Sequence, residues 1–230
     1  MTTISANLQA VHARIAAACK AVGRAPQDVA LLAVSKTWPA DDVREAAACG
    51  QRAFGENYVQ EGVEKIAALA DPDLEWHFIG PLQSNKTRPV AEHFAWVHTI
   101  DRLRIAERLS AQRPEHLPPL QVCVQVNVSG EASKSGVAPQ EAVELAHAIA
   151  RLPRLCLRGL MAVPEPTEDE RLLERQFGML RTLYEELKTA GLPLDTLSMG
   201  MSHDLESAIA AGATLVRIGT AIFGARAKRA

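Results

Sequence analysis

The sequence predicts an α/β fold: a single (β/α)8 barrel of the TIM type with an extra N-terminal helix, one domain over residues 1–230. Three observations predict it. Short apolar runs alternate with helix-period segments at intervals of roughly 20 to 35 residues, the pattern of repeated βα units. Most runs are apolar on both sides, as parallel strands covered on two faces require. An open doubly wound sheet usually carries a glycine-rich turn after its first strand, but here that place holds Lys36-Thr37-Trp38-Pro39.

The elements follow in order. Ile4, Leu8, Val11 and Ile15 share one face of an N-terminal amphipathic helix, which Pro26 ends. Strands are expected at Ala30–Ser35, Ala53–Glu56, Trp76–Ile79, Trp96–Thr99, Gln121–Val128, Leu157–Ala162, Thr196–Met199 and Leu215–Ile218. Between them, Ala142, Leu145, Ala146 and Ile149 keep the helical period, as do Leu205, Ala208, Ile209 and Gly212. Leu173, Phe177, Leu180, Tyr184 and Leu187 form a longer stripe. The Pro-rich stretch Arg113–Pro119 is short enough to be a loop, so nothing separates a second domain.

With 47% hydrophobic and 23% charged residues, the chain can bury one substantial core and is not a disordered or collagenous sequence. A formal net charge of −2 offers no field for nucleic acid, and only the tail Arg226-Ala-Lys228-Arg229 is visibly basic. Cys19, Cys49, Cys123 and Cys156 are widely spaced in apolar settings that suit buried thiols in a reducing compartment. No run reaches the roughly eighteen apolar residues of a membrane span, and the N-terminus lacks a signal-peptide pattern. These features predict a soluble cytoplasmic protein.

Lys36 closes the first apolar run, and an amine there needs a partner or a task. Partial desolvation lowers a lysine's pKa and makes it nucleophilic toward carbonyls, as in Schiff-base lysines. Alternatively its stem packs and its head reaches water. In a barrel, reactive groups lie at the carboxyl ends of the strands, and phosphate sites are often built after strands seven and eight. Those two places hold Ser198-Met199-Gly200-Met201-Ser202 and Arg217-Ile218-Gly219-Thr220. Gly200 and Gly219 allow close approach of backbone N–H groups to an anion, and Ser198, Ser202 and Thr220 add hydroxyl donors. Serving only as loop glycines and caps is the plainer use of the same residues.

Arg217 alternates with Gly219 and so should share its side of the strand. A ring nitrogen of an aromatic, phosphorylated ligand is one acceptor for it, and a buried carboxylate is another. Asn57 could lie beside such a ring, and His77 could stack on it or orient the lysine; either also suits a satisfied core polar group. Met161 stands at another strand end. Ser202-His203-Asp204 cannot converge as a catalytic triad, and Gly130–Gly136 lacks the ending of a P-loop. The histidines have no metal-ligand spacing, so no metal site is expected.

Seven segments together resemble the pyridoxal phosphate homeostasis protein family, whose fold is similar to the barrel domain of bacterial alanine racemase. They are Ala33–Lys36, Phe54–Gln60, Trp76–Lys86, Asn127–Gly136, Gly159–Ala162, Ser198–Ser202 and Val216–Gly224, in order along nearly the whole chain. The resemblance implies pyridoxal 5′-phosphate (PLP) held as a covalent aldimine on Lys36. It implies a phosphate site at Ser198, Ser202, Gly219 and Thr220 with the backbone of Met199 and Gly200. Arg217 would face the pyridine nitrogen, with Asn57, His77 and Met161 lining the ring.

Two classes follow: a carrier that masks the cofactor and passes it to PLP-dependent apo-enzymes in transient contact, or an enzyme acting on amino acids. The carrier is favoured, because the sequence ends after strand eight without the β-domain that gives a racemase its second acid/base. The same feature predicts a monomer. An arginine at the ring nitrogen also weakens the electron sink, although the resembling racemases share it.

Overall fold

The computed structural model describes residues 3–130, 135–165, 167 and 169–225. The basic tail and the middle of Gly130–Gly136 lie outside them. Strands β1 (Ala30–Val34), β2 (Ala53–Glu56), β3 (Glu75–Phe78) and β4 (Trp96–Ile100) are followed by β5 (Leu120–Gln125), β6 (Leu155–Met161), β7 (Thr196–Ser198) and β8 (Leu215–Ile218). They close a parallel barrel in sequence order, β8 pairing back onto β1 with Leu32 beside Arg217. All eight expected runs are strands.

The fifth run stops sooner than its apolar pattern, at Gln125, and Val126 keeps only an isolated bridge to Val137. Asn127 N–H then bonds the Val137 carbonyl, turning the chain out of the ladder.

Helix α1 (Thr3–Ala21) buries Ile4, Leu8, Val11 and Ile15, the stripe read from the sequence, and adds Cys19 to it. Helices α2 (Ala40–Ala48), α3 (Val59–Leu69), α4 (Thr87–His93) and α5 (Leu103–Gln112) follow the first four strands. Helices α6 (Pro139–Ala150), α7 (Glu170–Thr189), α8 (Leu205–Ala210) and α9 (Thr220–Phe223) follow the rest. The expected stripes of α6 and α7 are buried, and Asp169 caps α7 by accepting from the N–H groups of Arg171 and Leu172. Gly212 does not belong to the α8 face. It lies past the helix with φ +101, where only glycine is unstrained, and it ends the helix.

Two apolar regions result. A large one fills the annulus between strands and helices, while Trp96, Cys123 and Met161 pack together inside the barrel. The interior also holds His77, His98, Ser198 and Arg217, all buried, where barrels usually stack branched aliphatics. The thiols divide: Cys19 and Cys123 are buried, Cys156 is half-buried and Cys49 is exposed, so the apolar setting read for Cys49 is corrected. Cys49 caps the end of α2, where its neighbours face solvent. Among the described residues, no helix is long and apolar enough to cross a membrane.

Candidate functional site

A cavity of about 320 Å³ opens at the carboxyl mouth of the barrel, at the small end of the range for small-molecule sites. Lys36, Asn57, Ser202, Arg217, Gly219 and Thr220 line it together, although they come from four βα junctions. Convergence at this end follows from the fold, since every parallel strand delivers its following loop there.

Lys36 is held by its neighbours. Ser35, pointing the other way, donates its hydroxyl to Glu56 Oε1 at 2.6 Å, and its carbonyl accepts from Lys65 Nζ at 2.7 Å. Lys65, nearly buried on α3, also bonds Glu56 Oε1 and Glu61 Oε1, each at 2.7 Å. Thr37 takes φ 70, an uncommon conformation for a β-branched residue, and donates its N–H to Glu61 Oε1. Residues on both sides of Lys36 are thus clamped by one acid–base cluster. Burial pushes the Glu56 carboxyl above its ordinary value, and the Lys65 ammonium opposes that rise.

The loop after β7 is shaped by Gly200, whose φ of +98 disfavours any side chain. A Cβ there would lie 2.7 Å from the Ala208 side chain. Its carbonyl accepts from Arg217 N–H, Met201 N–H donates to Asp204 Oδ1, and Arg14 of α1 donates to the Ser202 carbonyl. The extra N-terminal helix therefore helps fix the loop. Arg217 donates to the Ser198 carbonyl and hydroxyl through Nη1 and to the Ala162 carbonyl through Nη2. Burial lowers its pKa to about 10, so it stays charged at neutral pH.

Asn57 supplies the most direct sign of a ligand. Its Oδ1 is buried without a hydrogen-bond partner among the described residues, a cost that a bound donor would remove. Gly80 makes room beside it, since a Cβ there would sit 2.1 Å from the Asn57 carbonyl oxygen.

His77, Met161 and Ser198 do not line the cavity; their side chains lie one layer deeper in the barrel. Strand alternation explains this: Ile79 and Val163, two residues beyond His77 and Met161, are the inward residues at the mouth. The His77 ring stacks on Trp96 and bonds His98 and Glu75, while the Ser198 hydroxyl meets His98 and Arg217. Met199 is fully buried in the annular core. Val34, Ile79, Val163 and His203 line the cavity without having been read from the sequence, and so does Met201, which the sequence placed only within the Ser198–Ser202 segment. Counting two residues past each inward strand position would have found Ile79 and Val163. The Glu56–Lys65–Glu61 cluster was also missed; its only sequence signal is the Glu61–Lys65 spacing of four on one helix.

The family model described as alanine racemase, N-terminal domain, matches residues 6–227. The pyridoxal phosphate homeostasis protein of Pseudomonas aeruginosa is 63% identical over 226 residues, covering 98% of this chain and 97% of the relative. This chain belongs to that family. A second member, from Escherichia coli, is 60% identical over 232 residues, 98% of each chain. Among solved structures, the family's fold is matched by PipY of Synechococcus elongatus with PLP bound. Its TM-score is 0.81 at 40% identity, over 91% of this chain and all of PipY.

Proposed function

We propose that this family member binds PLP at the carboxyl mouth of the barrel and serves PLP homeostasis by holding the cofactor masked and passing it on. The observation that carries the reading is the meeting of Lys36, the orphaned Asn57 Oδ1, Arg217 and the Ser202, Gly219 and Thr220 segments on one small cavity. An amine, a fixed cation and two hydroxyl-bearing turns match the aldehyde, ring and phosphate of this cofactor. Relatives that bear the homeostasis name, and PipY with PLP bound, support the same ligand.

In this reading Lys36 Nζ holds PLP through a Schiff-base linkage, and the backbone around Gly200 with Ser202, Gly219 and Thr220 holds the phosphate. Arg217 donates to the ring nitrogen, and Asn57 accepts from the cofactor or its bound water. PLP supplies an electron-withdrawing ring when bound, but Arg217 keeps the ring nitrogen unprotonated and so limits that power. Apart from Lys36, the titratable groups among the described lining residues are His203 and Arg217, which supports a carrier over an enzyme of amino-acid turnover. Transient contact with PLP-dependent apo-enzymes, a cytoplasmic location, a monomeric state and operation of residues 1–230 as one barrel unit complete the proposal.

Borohydride reduction of the PLP-loaded protein should leave a phosphopyridoxyl group on Lys36, located by mass spectrometry, and Lys36→Ala should lose both the label and the yellow colour. Labelling elsewhere, or an unlabelled chain, refutes the linkage. Racemisation or transamination of amino acids at ordinary enzymatic rates by the loaded protein would favour the enzyme instead.

A further inference from the structure

Four hydrogen bonds run in series through the barrel interior. Arg217 Nη1 donates to Ser198 Oγ at 2.8 Å, and Ser198 Oγ lies 2.8 Å from His98 Nδ1. His98 Nε2 lies 2.9 Å from His77 Nδ1, and His77 Nε2 lies 2.9 Å from Glu75 Oε1. Ser198, His98 and His77 are at most 1% exposed. Arg217 lines the cavity at the carboxyl mouth, while the half-exposed Glu75 lines a different cavity, of about 500 Å³, at the amino mouth. The series therefore joins the two ends of the barrel.

Its proton positions follow from the carboxylate end. Glu75 is held below the ordinary carboxylate range by its bond to His77, so it is ionised and only accepts. His77 Nε2 must then carry a proton. Burial keeps both rings neutral, which makes His77 Nδ1 an acceptor and places the His98 proton on Nε2. His98 Nδ1 in turn accepts from the Ser198 hydroxyl, whose oxygen accepts from Arg217. Every link is satisfied by one assignment, with a cation at one end, a carboxylate at the other and the bonds between them aligned.

We propose that Glu75, His77, His98 and Ser198 form a directional relay that positions Arg217 from the opposite mouth of the barrel, with both rings in the Nε2–H form. No proton needs to move along it. Among the described residues, Arg217 hydrogen-bonds two carbonyls and one hydroxyl but no carboxylate, so the polarised hydroxyl is the link through which Glu75 acts on it. The relay stands on the ligand-free geometry. Its response to PLP rests additionally on the cofactor reading above.

The test is nitrogen NMR of the full-length ¹⁵N-histidine-labelled protein. Without ligand at neutral pH, both rings should show one protonated nitrogen, assigned to Nε2, and Ser198→Ala should shift the signals of both His98 and His77. An Nδ1–H or doubly protonated ring, or a His77 signal unmoved by Ser198→Ala in a protein of unchanged circular dichroism, overturns the relay. Adding PLP should shift the His77 ring in the wild type and not in Ser198→Ala, with binding followed separately by absorbance. A bound cofactor that leaves His77 unmoved, or moves it equally in Ser198→Ala, overturns the coupling. Absence of any PLP absorbance change refutes the cofactor reading while leaving the ligand-free result to decide the relay.

Discussion

Lys65 shows how a single residue outside the cavity can set the position of one that lines it. Its ammonium bonds Glu56, Glu61 and the Ser35 carbonyl, and so fixes the backbone on which Lys36 sits. Removing one partner of such a buried pair leaves an uncompensated charge, at a cost of about 3–5 kcal/mol. Lys65→Met should lower unfolding stability by that amount in urea titration, and adding Glu56→Gln should recover part of it. Equal stability of Lys65→Met and wild type would mean that Glu56 is neutral in the folded protein. Burial raises the Glu56 pKa, which makes protonation its way of escaping the lost partner.

At the scale of elements, the ends of β2 and β3 approach each other more closely than side chains allow. Gly80 passes against the Asn57 carbonyl, and Thr99 at the end of β4 donates its hydroxyl to the Gly80 carbonyl at 2.6 Å. Gly80→Ala should therefore push these junctions apart, costing about 1–3 kcal/mol as an overpacked site. The loss would be read in urea, and PLP affinity should fall with it because Asn57 moves. Unchanged stability and affinity would show that the junction relaxes freely. Helix α1 acts on the site in a similar indirect way. Asn7 bonds the Ile222 carbonyl of α9, and Arg14 pairs with Glu206 of α8 while reaching the Ser202 carbonyl.

For the whole molecule, the histidines inside the barrel predict a particular acid response. Burial lowers the pKa of His77 and His98 below 6.5, the ordinary value, so the unfolded chain binds protons that the folded one refuses. Stability is complete above pH 6.5 and falls as pH drops below it, by up to about 1.4 kcal/mol per ring for each pH unit until the folded value is reached. Glu56, with its raised pKa, works in the opposite sense nearer the carboxylate range. Melting temperatures between pH 7.5 and 5.5 should fall, and His98→Asn should flatten the slope; a flat wild-type profile would contradict neutral buried rings. PLP at a hundredfold its Kd should add about 2.7 kcal/mol, a rise on the order of 5–10 °C in Tm, if the native state alone holds it.

The sequence by itself determined the barrel, because the period of apolar runs and their two-sided burial are local properties that few other architectures accept. It also determined that Lys36, Asn57, Ser202, Arg217, Gly219 and Thr220 stand at strand ends, and a parallel barrel sends all strand ends to one mouth. Depth was decided only by the tertiary structure. His77 and Met161 lie close to strand ends too, but the alternation of side chains and the stagger of closed strands place them one layer below Ile79 and Val163. Partnership across the barrel was likewise beyond the sequence. His77 and His98 are 21 positions apart and His98 and Ser198 are 100 apart, and only closure of the ring brings their polar atoms within hydrogen-bond distance in the buried interior.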